Sequence, residues 1–198
     1  MAFNANEFRS ALPLGGARPN LFEIEINFPD FVTGGTLAGR QVALLCKASS
    51  VPQSTVGTVE VPYFGRTIKF VGDRTYDTWS ATIINDEAYT VRRALEDWQN
   101  AINQFDFNSF NRQNIEAGGA VGSTANILIK QFTKTGSVAQ QYQLKNAWPS
   151  EIEAIDLDWG STDEIEEFGI TFNYDYYTIE GPDLAIGSVT SAVSSVLE

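Results

Sequence analysis

TYDTWSATIIN (75–85) runs directly into DEAYTVRRALEDWQNAI (86–102), and the spacing of the apolar residues changes where the two meet. In the first stretch Trp79, Ala81 and Ile83 fall on one face, the period of two that a half-buried strand requires. In the second, Ala88, Val91, Leu95, Trp98 and Ile102 recur in steps of 3, 4, 3 and 4, the stripe of an amphipathic helix. Asn85 is the expected N-cap, and Asp86 and Glu87 place negative charge at the positive end of the helix dipole. The spacing predicts one long helix over 86–102, the only one in the chain, whose face bearing Val91, Leu95 and Trp98 seals a sheet.

On either side of this switch the period of two dominates. LFEIEINF (21–28) puts Phe22, Ile24, Ile26 and Phe28 on one face, and QVALLCK (41–47), apolar on both faces, reads as a strand covered on both sides. VGTVEV and RTIKFV flank the PYFG turn (62–65), and Gly72-Asp73 marks the next reversal. Beyond the helix, 103–123 has no sustained period and reads as a long loop containing Phe105, Phe107 and Phe110. Strands resume in TANILIKQF, VAQQYQLKN, EIEAIDLDW (Ile155, Leu157 and Trp159 in register) and EIEEFGITFNYDYYT, where Phe168, Ile170, Phe172, Tyr174 and Tyr176 alternate. Eight or nine strands and one helix predict a mainly β protein: an antiparallel β-sandwich or barrel with one flanking helix at about residues 86–102. Residues 1–16 read as an N-terminal arm, 17–177 as the β-domain, and 178–198 as a C-terminal extension with little bulk to bury.

Composition narrows the chemistry. The 198 residues carry 13 Lys and Arg against 25 Asp and Glu, a formal charge of −12, with no His and one Cys. Without His there is no Ser-His-Asp or Cys-His centre and no His-ligated zinc. Cys46 alone forms no intrachain disulfide or CxxC pair, and its apolar neighbours make it a small buried hydrophobe rather than a reactive thiol. Nucleic-acid affinity rests on cations that this chain lacks, so it can lie beside DNA without gripping it. The N-terminus shows no signal-peptide pattern, and no run approaches the roughly 18 apolar residues of a membrane span, so membrane insertion is not expected.

Catalytic and metal motifs stay at background. DLDWGSTDE begins like a calcium loop at Asp156 and Asp158, but its Gly160 falls at the fifth position rather than the sixth, and a turn is the better reading. GGTLAGR and EAGGAVGS lack the Lys-Ser/Thr of a phosphate loop. No catalytic, metal or cofactor site is predicted. What remains is surface: an open sheet leaves edges that must be blunted or joined to another chain, and Tyr63 and Phe64 stand at a hairpin end, where they either mark a contact or fold back on the core.

The ordered motifs are familiar. ARPNLFEIEI, CKASSVP, VPYFGRTIKFVGDRTYDTWSATIINDEAYTVRRALEDWQ and LKNAWPSEIEAIDLDWGSTDEIEEFGITFNYDYY resemble, over roughly residues 17–177, the tail tube proteins of contractile-tailed bacteriophages. The specific part is the order: GDRT-Y-D-x-W, then NDEA, then AWP, then LDW followed by EIEEF. The resemblance implies a β-sandwich or barrel with one packed helix, shared with the haemolysin-coregulated protein of type VI secretion. It also implies a non-catalytic subunit of the virion, with six copies closing into rings that stack head-to-tail inside a contractile sheath.

The implied partners are further copies of the chain, the sheath protein, baseplate and tail terminator proteins, and tape measure protein or DNA in a lumen that does not bind it tightly. Tyr63 and Phe64 are then expected to contact the neighbouring ring. Phe3 and Phe8 either dock on an adjacent subunit or belong to a frayed end. The alternatives are the tube of a type VI or phage-derived injection particle and, more remotely, an acidic carbohydrate-binding or hydrolase sandwich.

Overall fold

A computed structural model describes residues 5–12, 15–105 and 123–181. The alternating segments form one seven-stranded antiparallel assembly. Strands β1 (Phe22–Ile26), β6 (Ala125–Phe132), β7 (Val138–Ile152), β8 (Glu167–Asn173), β5 (Trp79–Ile84) and β2 (Cys46–Ser49) lie side by side in that order, and β9 (Tyr176–Glu180) pairs with the first half of β7. The expectation of a mainly β antiparallel fold holds.

β7 is the hinge of this arrangement. Its first half pairs with β6 and β9, and its second half pairs with β8. Asn146, at φ 55°, bends the strand between the two. The inward residues of both halves meet in one core: Ile24, Ile26, Ile127, Ile129 and Leu144 from one side, Trp79, Ile83, Phe168, Ile170 and Phe172 from the other.

Two helices close the core. α3 (Thr90–Ile102) buries Val91, Ala94, Leu95 and Trp98, with the Trp98 ring 6.0 Å from Phe172 and its indole N–H donated to the Ser123 carbonyl at 2.8 Å. It begins later than 86. Asp86 and Tyr89 form a turn, and the Asp86 carboxylate accepts from the Thr90 N–H (2.9 Å) and hydroxyl (2.8 Å). Asp86 thus satisfies the helix start that was expected of Asn85, which instead donates to Glu166. Ala88 is exposed, outside the stripe.

The second helix corrects the reading of 41–47 as a strand and of 86–102 as the only long helix. α2 (Gly35–Leu45) buries Gly35, Ala38 and Val42, a 3–4 spacing that the apolar run had hidden, while Leu44 is 86% exposed and not covered at all. Its glycines serve close packing. A Cβ on Gly39 would stand 2.7 Å from the Ile26 carbonyl oxygen, and one on Gly35 would stand 2.7 Å from Phe28 Cβ. Cys46 is therefore half-buried at the helix–strand junction rather than mid-strand.

Three other sequence readings change. β4 (Arg66–Tyr76) continues through Gly72-Asp73, because Gly72 packs on Gly57 at a bulge instead of reversing the chain. The stretch 153–166 is not a strand: β7 ends at Ile152, and Leu157 and Trp159 point outward. The last predicted strand breaks at Tyr174-Asp175 into β8 and β9. In the N-terminal arm α1 (Ala5–Ala11) buries no residue, and Phe8 is exposed. Phe3, most of the 103–123 loop with Phe107 and Phe110, and residues 182–198 lie outside the described residues.

Candidate assembly surface

β3 (Ser54–Tyr63) and β4 form a two-stranded sheet of their own. The alternation along them resembles that of the core strands. Val59 faces Phe70, Val61 faces Ile68, and Tyr63 faces Arg66 across the ladder, so Val59, Val61, Tyr63, Ile68 and Phe70 share one face. All five apolar side chains are exposed. The strands meet at the two-residue turn Phe64-Gly65, both at positive φ (42° and 80°), the geometry that suits the twist of a tight hairpin. Phe64 is 91% exposed at the tip, with its ring edge-on to Tyr63 at 4.6 Å.

A lone hairpin is marginal in water, and one with an exposed apolar face more so. This one is anchored at its base. The Ser54 hydroxyl hydrogen-bonds the Tyr177 hydroxyl at 3.2 Å, the Trp79 indole N–H donates to the Ser50 carbonyl at 2.7 Å, and the Tyr174 hydroxyl donates to the Gln53 carbonyl at 3.4 Å. The Tyr76 ring packs on Tyr174 and Tyr177. Burial pushes the Tyr174 hydroxyl up to about 12, so it stays a neutral donor. The apolar face continues outward from this aromatic base with no cover from the other described residues.

A second exposed apolar surface lies in the loop 153–166. Trp159 is 100% exposed and Leu157 81%, with Ile165 also outside. The sequence signal was misread, because alternation at Ile155, Leu157 and Trp159 specifies a face but not whose core it enters. The Asp158 carboxylate accepts the Gly160 N–H at 2.9 Å, the turn expected in place of a calcium loop. Glu167, just past the loop, is held by both oxygens on Lys47 Nζ at 2.6 and 2.8 Å. Among the described residues no group of three or more acidic or Cys side chains is placed to hold a metal ion. None of the described helices is long and apolar enough to cross a membrane.

The site residues named from sequence thus separate in space. Tyr63 and Phe64 stand together on the hairpin tip, Val91, Leu95 and Trp98 lie inside the core, and Phe8 stands exposed on the arm. The sequence reading missed Val59, Val61, Ile68 and Phe70, whose alternation looks core-facing, and it missed Trp159.

Comparison with known proteins accounts for this architecture. Residues 17–180 match the family described as phage tail tube protein. Tail tube protein gp19 of Enterobacteria phage T4 is 30% identical over 162 residues, spanning 81% of this chain and 90% of that protein. The tail tube protein of Serratia phage KSP90 is 27% identical over 171 residues, 85% and 93% of the two chains. Among solved structures, the tube terminating cap of the anti-feeding prophage shares the fold with a TM-score of 0.59 at 18% identity, over 84% of this chain and 92% of that one. The sheath–tube complex of the extracellular contractile injection system PVC gives 0.56 at 14% identity, over 91% and 100%. The chain belongs to the phage tail tube protein family and is a structural subunit of a tail tube.

Proposed function

We propose that copies of this chain close into rings, six-fold as the family resemblance implies, and that the rings stack head-to-tail into a hollow tube inside a contractile sheath. One observation carries the reading: a hairpin with an apolar face and an aromatic tip, exposed on both sides and tied to its own subunit only at its base. Such a face is stable when a neighbour covers it. The sheet adds a second argument. β1 and β2 end the strand path, each with one edge unpaired among the described strands, and joining edges around a ring satisfies both.

In this reading residues 17–177 are the tube domain, 1–16 an arm and 178–198 an extension, while the family match and β9 run on to Glu180. Its role is non-catalytic. Sheath, baseplate and terminator proteins are the partners of the assembled tube, which is built in the host cytoplasm and carried in the virion. The charge of −12 per subunit, repeated around each ring, disfavours retention of phosphates, so DNA or tape measure protein occupies the lumen without tight binding.

Negative-stain microscopy tests this. Rings or hollow rods are expected from the wild-type chain, and replacing Tyr63 and Phe64 together with Ser should shorten or abolish rods while leaving the circular dichroism spectrum unchanged. Tubes of unchanged length distribution from that variant would remove the hairpin from the contact.

A further inference from the structure

The base of the hairpin and the loop 153–166 lie at opposite ends of one strand. β8 starts at Glu167, immediately after the loop 153–166, and ends where Phe172 lies opposite Trp79, beside the base of the hairpin. Seven residues of strand separate the loop from the hairpin's base by about 20 Å, and the ten residues of β3 place the tip about 30 Å from that base. Within the chain the tip and the loop do not cover one another, since Phe64 is 91% and Trp159 100% exposed. Donor and acceptor surfaces at opposite ends are what a head-to-tail stack requires, since the same contact then repeats at every step.

Their chemistry is complementary. The loop lines a trough of about 700 Å³ with Ile155, Leu157, Trp159 and Ile165 among its walls. Residues 153–166 carry six acidic side chains and no Lys or Arg. The hairpin brings Tyr63 and Phe64 with Arg66 beside them, while further down β4 Lys69 is paired with Glu60 at 3.3 Å and Arg74 follows Asp73. Aromatic and Arg anchors entering an acidic recess with apolar side chains in its walls are the composition of an interface centre.

Resting on the reading that the hairpin contacts a neighbouring subunit, we propose that Tyr63, Phe64 and Arg66 of one copy dock in the 153–166 trough of the copy stacked next to it. Arg66 then faces Asp156 and Asp158, and the tip rings cover Leu157 and Trp159. Two other recesses compete as receptors, one of about 540 Å³ between β1 and α2 and one of about 440 Å³ beside Leu12 and Phe132. The first sets Arg40 against Glu23 and Glu25, and Glu25 is already paired with Lys130. The second holds Arg18 and Lys134 with no acid. Of the three, only the trough offers Arg66 several carboxylates and no cation in its lining.

The test uses assembled tubes of the full chain in a Cys46→Ser background, treated with a short bismaleimide. Phe64→Cys combined with Trp159→Cys should give a ladder of covalent multimers that neither single variant gives. Independently, Arg66→Glu and Asp158→Arg should each lower tube yield by about tenfold, and the two together should restore it. A ladder from Phe64→Cys with Leu44→Cys and none with Trp159→Cys would overturn the trough as receptor while leaving the hairpin as a contact. Absence of any cross-link to Phe64→Cys, with normal tubes from the Tyr63/Phe64 double Ser variant, would instead overturn the hairpin contact itself. Failure of the charge reversal to restore yield, with both single variants impaired and folded, also counts against the proposed pairing.

Discussion

Asn146 donates from Nδ2 to Asp175 Oδ2 at 2.7 Å, while the Asp175 N–H donates to the Lys145 carbonyl at 3.1 Å. The pair fastens the bend of β7 to the corner between β8 and β9. One strand therefore serves both halves of the sheet, and the chain turns out of β8 at the place where β9 can return along the first half of β7. The hairpin base rests on this corner through Tyr174 and Tyr177.

Two substitutions separate the contributions at Asn146. Its φ of 55° is costly for a residue with a Cβ other than Asn or Asp. Asn146→Ala loses both the hydrogen bond and the tolerance of that conformation, and is expected to cost about 2–3 kcal/mol. Asn146→Gly loses the hydrogen bond alone and should cost about 1 kcal/mol. Urea midpoints check the difference. Equal midpoints for the two variants would show that the left-handed backbone contributes nothing.

Gly39 gives a steric prediction. The atom that a new Cβ would meet, at 2.7 Å, is the backbone oxygen of Ile26, which cannot swing aside as a side-chain end can. Gly39→Ala should push α2 off β1 and destabilise by about 1–3 kcal/mol, despite the better helix propensity of Ala. At an exposed helix site the same change stabilises. A thermal midpoint at or above that of the wild type would refute the close-packing role.

Cys46 gives a pH prediction. Burial raises its thiol from 9.0 to about 11, against a smaller opposing effect of a backbone hydrogen bond from Ala48 that favours the thiolate. Only the thiolate reacts, so alkylation of the native chain at pH 8 should be about a hundredfold slower than that of the unfolded chain. The rate should keep rising between pH 9 and 11 rather than level off. For stability, the folded state holds this proton longer than the unfolded state, so the contribution is intact below pH 9 and is lost as the pH rises toward 11. Mass-spectrometric alkylation rates across that range check it.

Where the sequence was legible, local pattern and burial agreed. Phe168, Ile170 and Phe172 alternate and are buried, and the switch to helical spacing after Ile84 does mark a helix. Where it was not, a local rule had two outcomes. Gly35 and Gly39 lower the helix propensity of their segment, yet they are the residues that let a helix lie against β1. Gly72 suggested a turn and is instead a bulge contact. Asp86 and Asn85 are both good caps, and only the position of Glu166 decides which of them is occupied elsewhere. Alternation at Val59, Val61 and Tyr63, or at Leu157 and Trp159, says that a face is apolar. It does not say whether the covering surface belongs to the same chain.

That ambiguity has a measurable form. Leu95 is fully buried, whereas Val59 and Val61 are about half exposed, though both sets follow equally regular patterns. Leu95→Ala removes packing within the subunit and is expected to cost about 2–5 kcal/mol in the unfolding of the free chain. Replacing Val59 and Val61 together with Thr keeps strand propensity and shape, and should change that same stability by no more than about 0.5 kcal/mol. The tube should respond in the opposite sense. On the proposed contact the Thr variant should lose assembly, because it removes the apolar face offered to the neighbour, and Leu95→Ala, at temperatures where it remains folded, presents an unaltered hairpin and should still assemble. Denaturation of dissociated subunits, set beside sedimentation of assembled material, separates the two. A Thr variant that unfolds early would mean that the hairpin is packed on its own subunit after all.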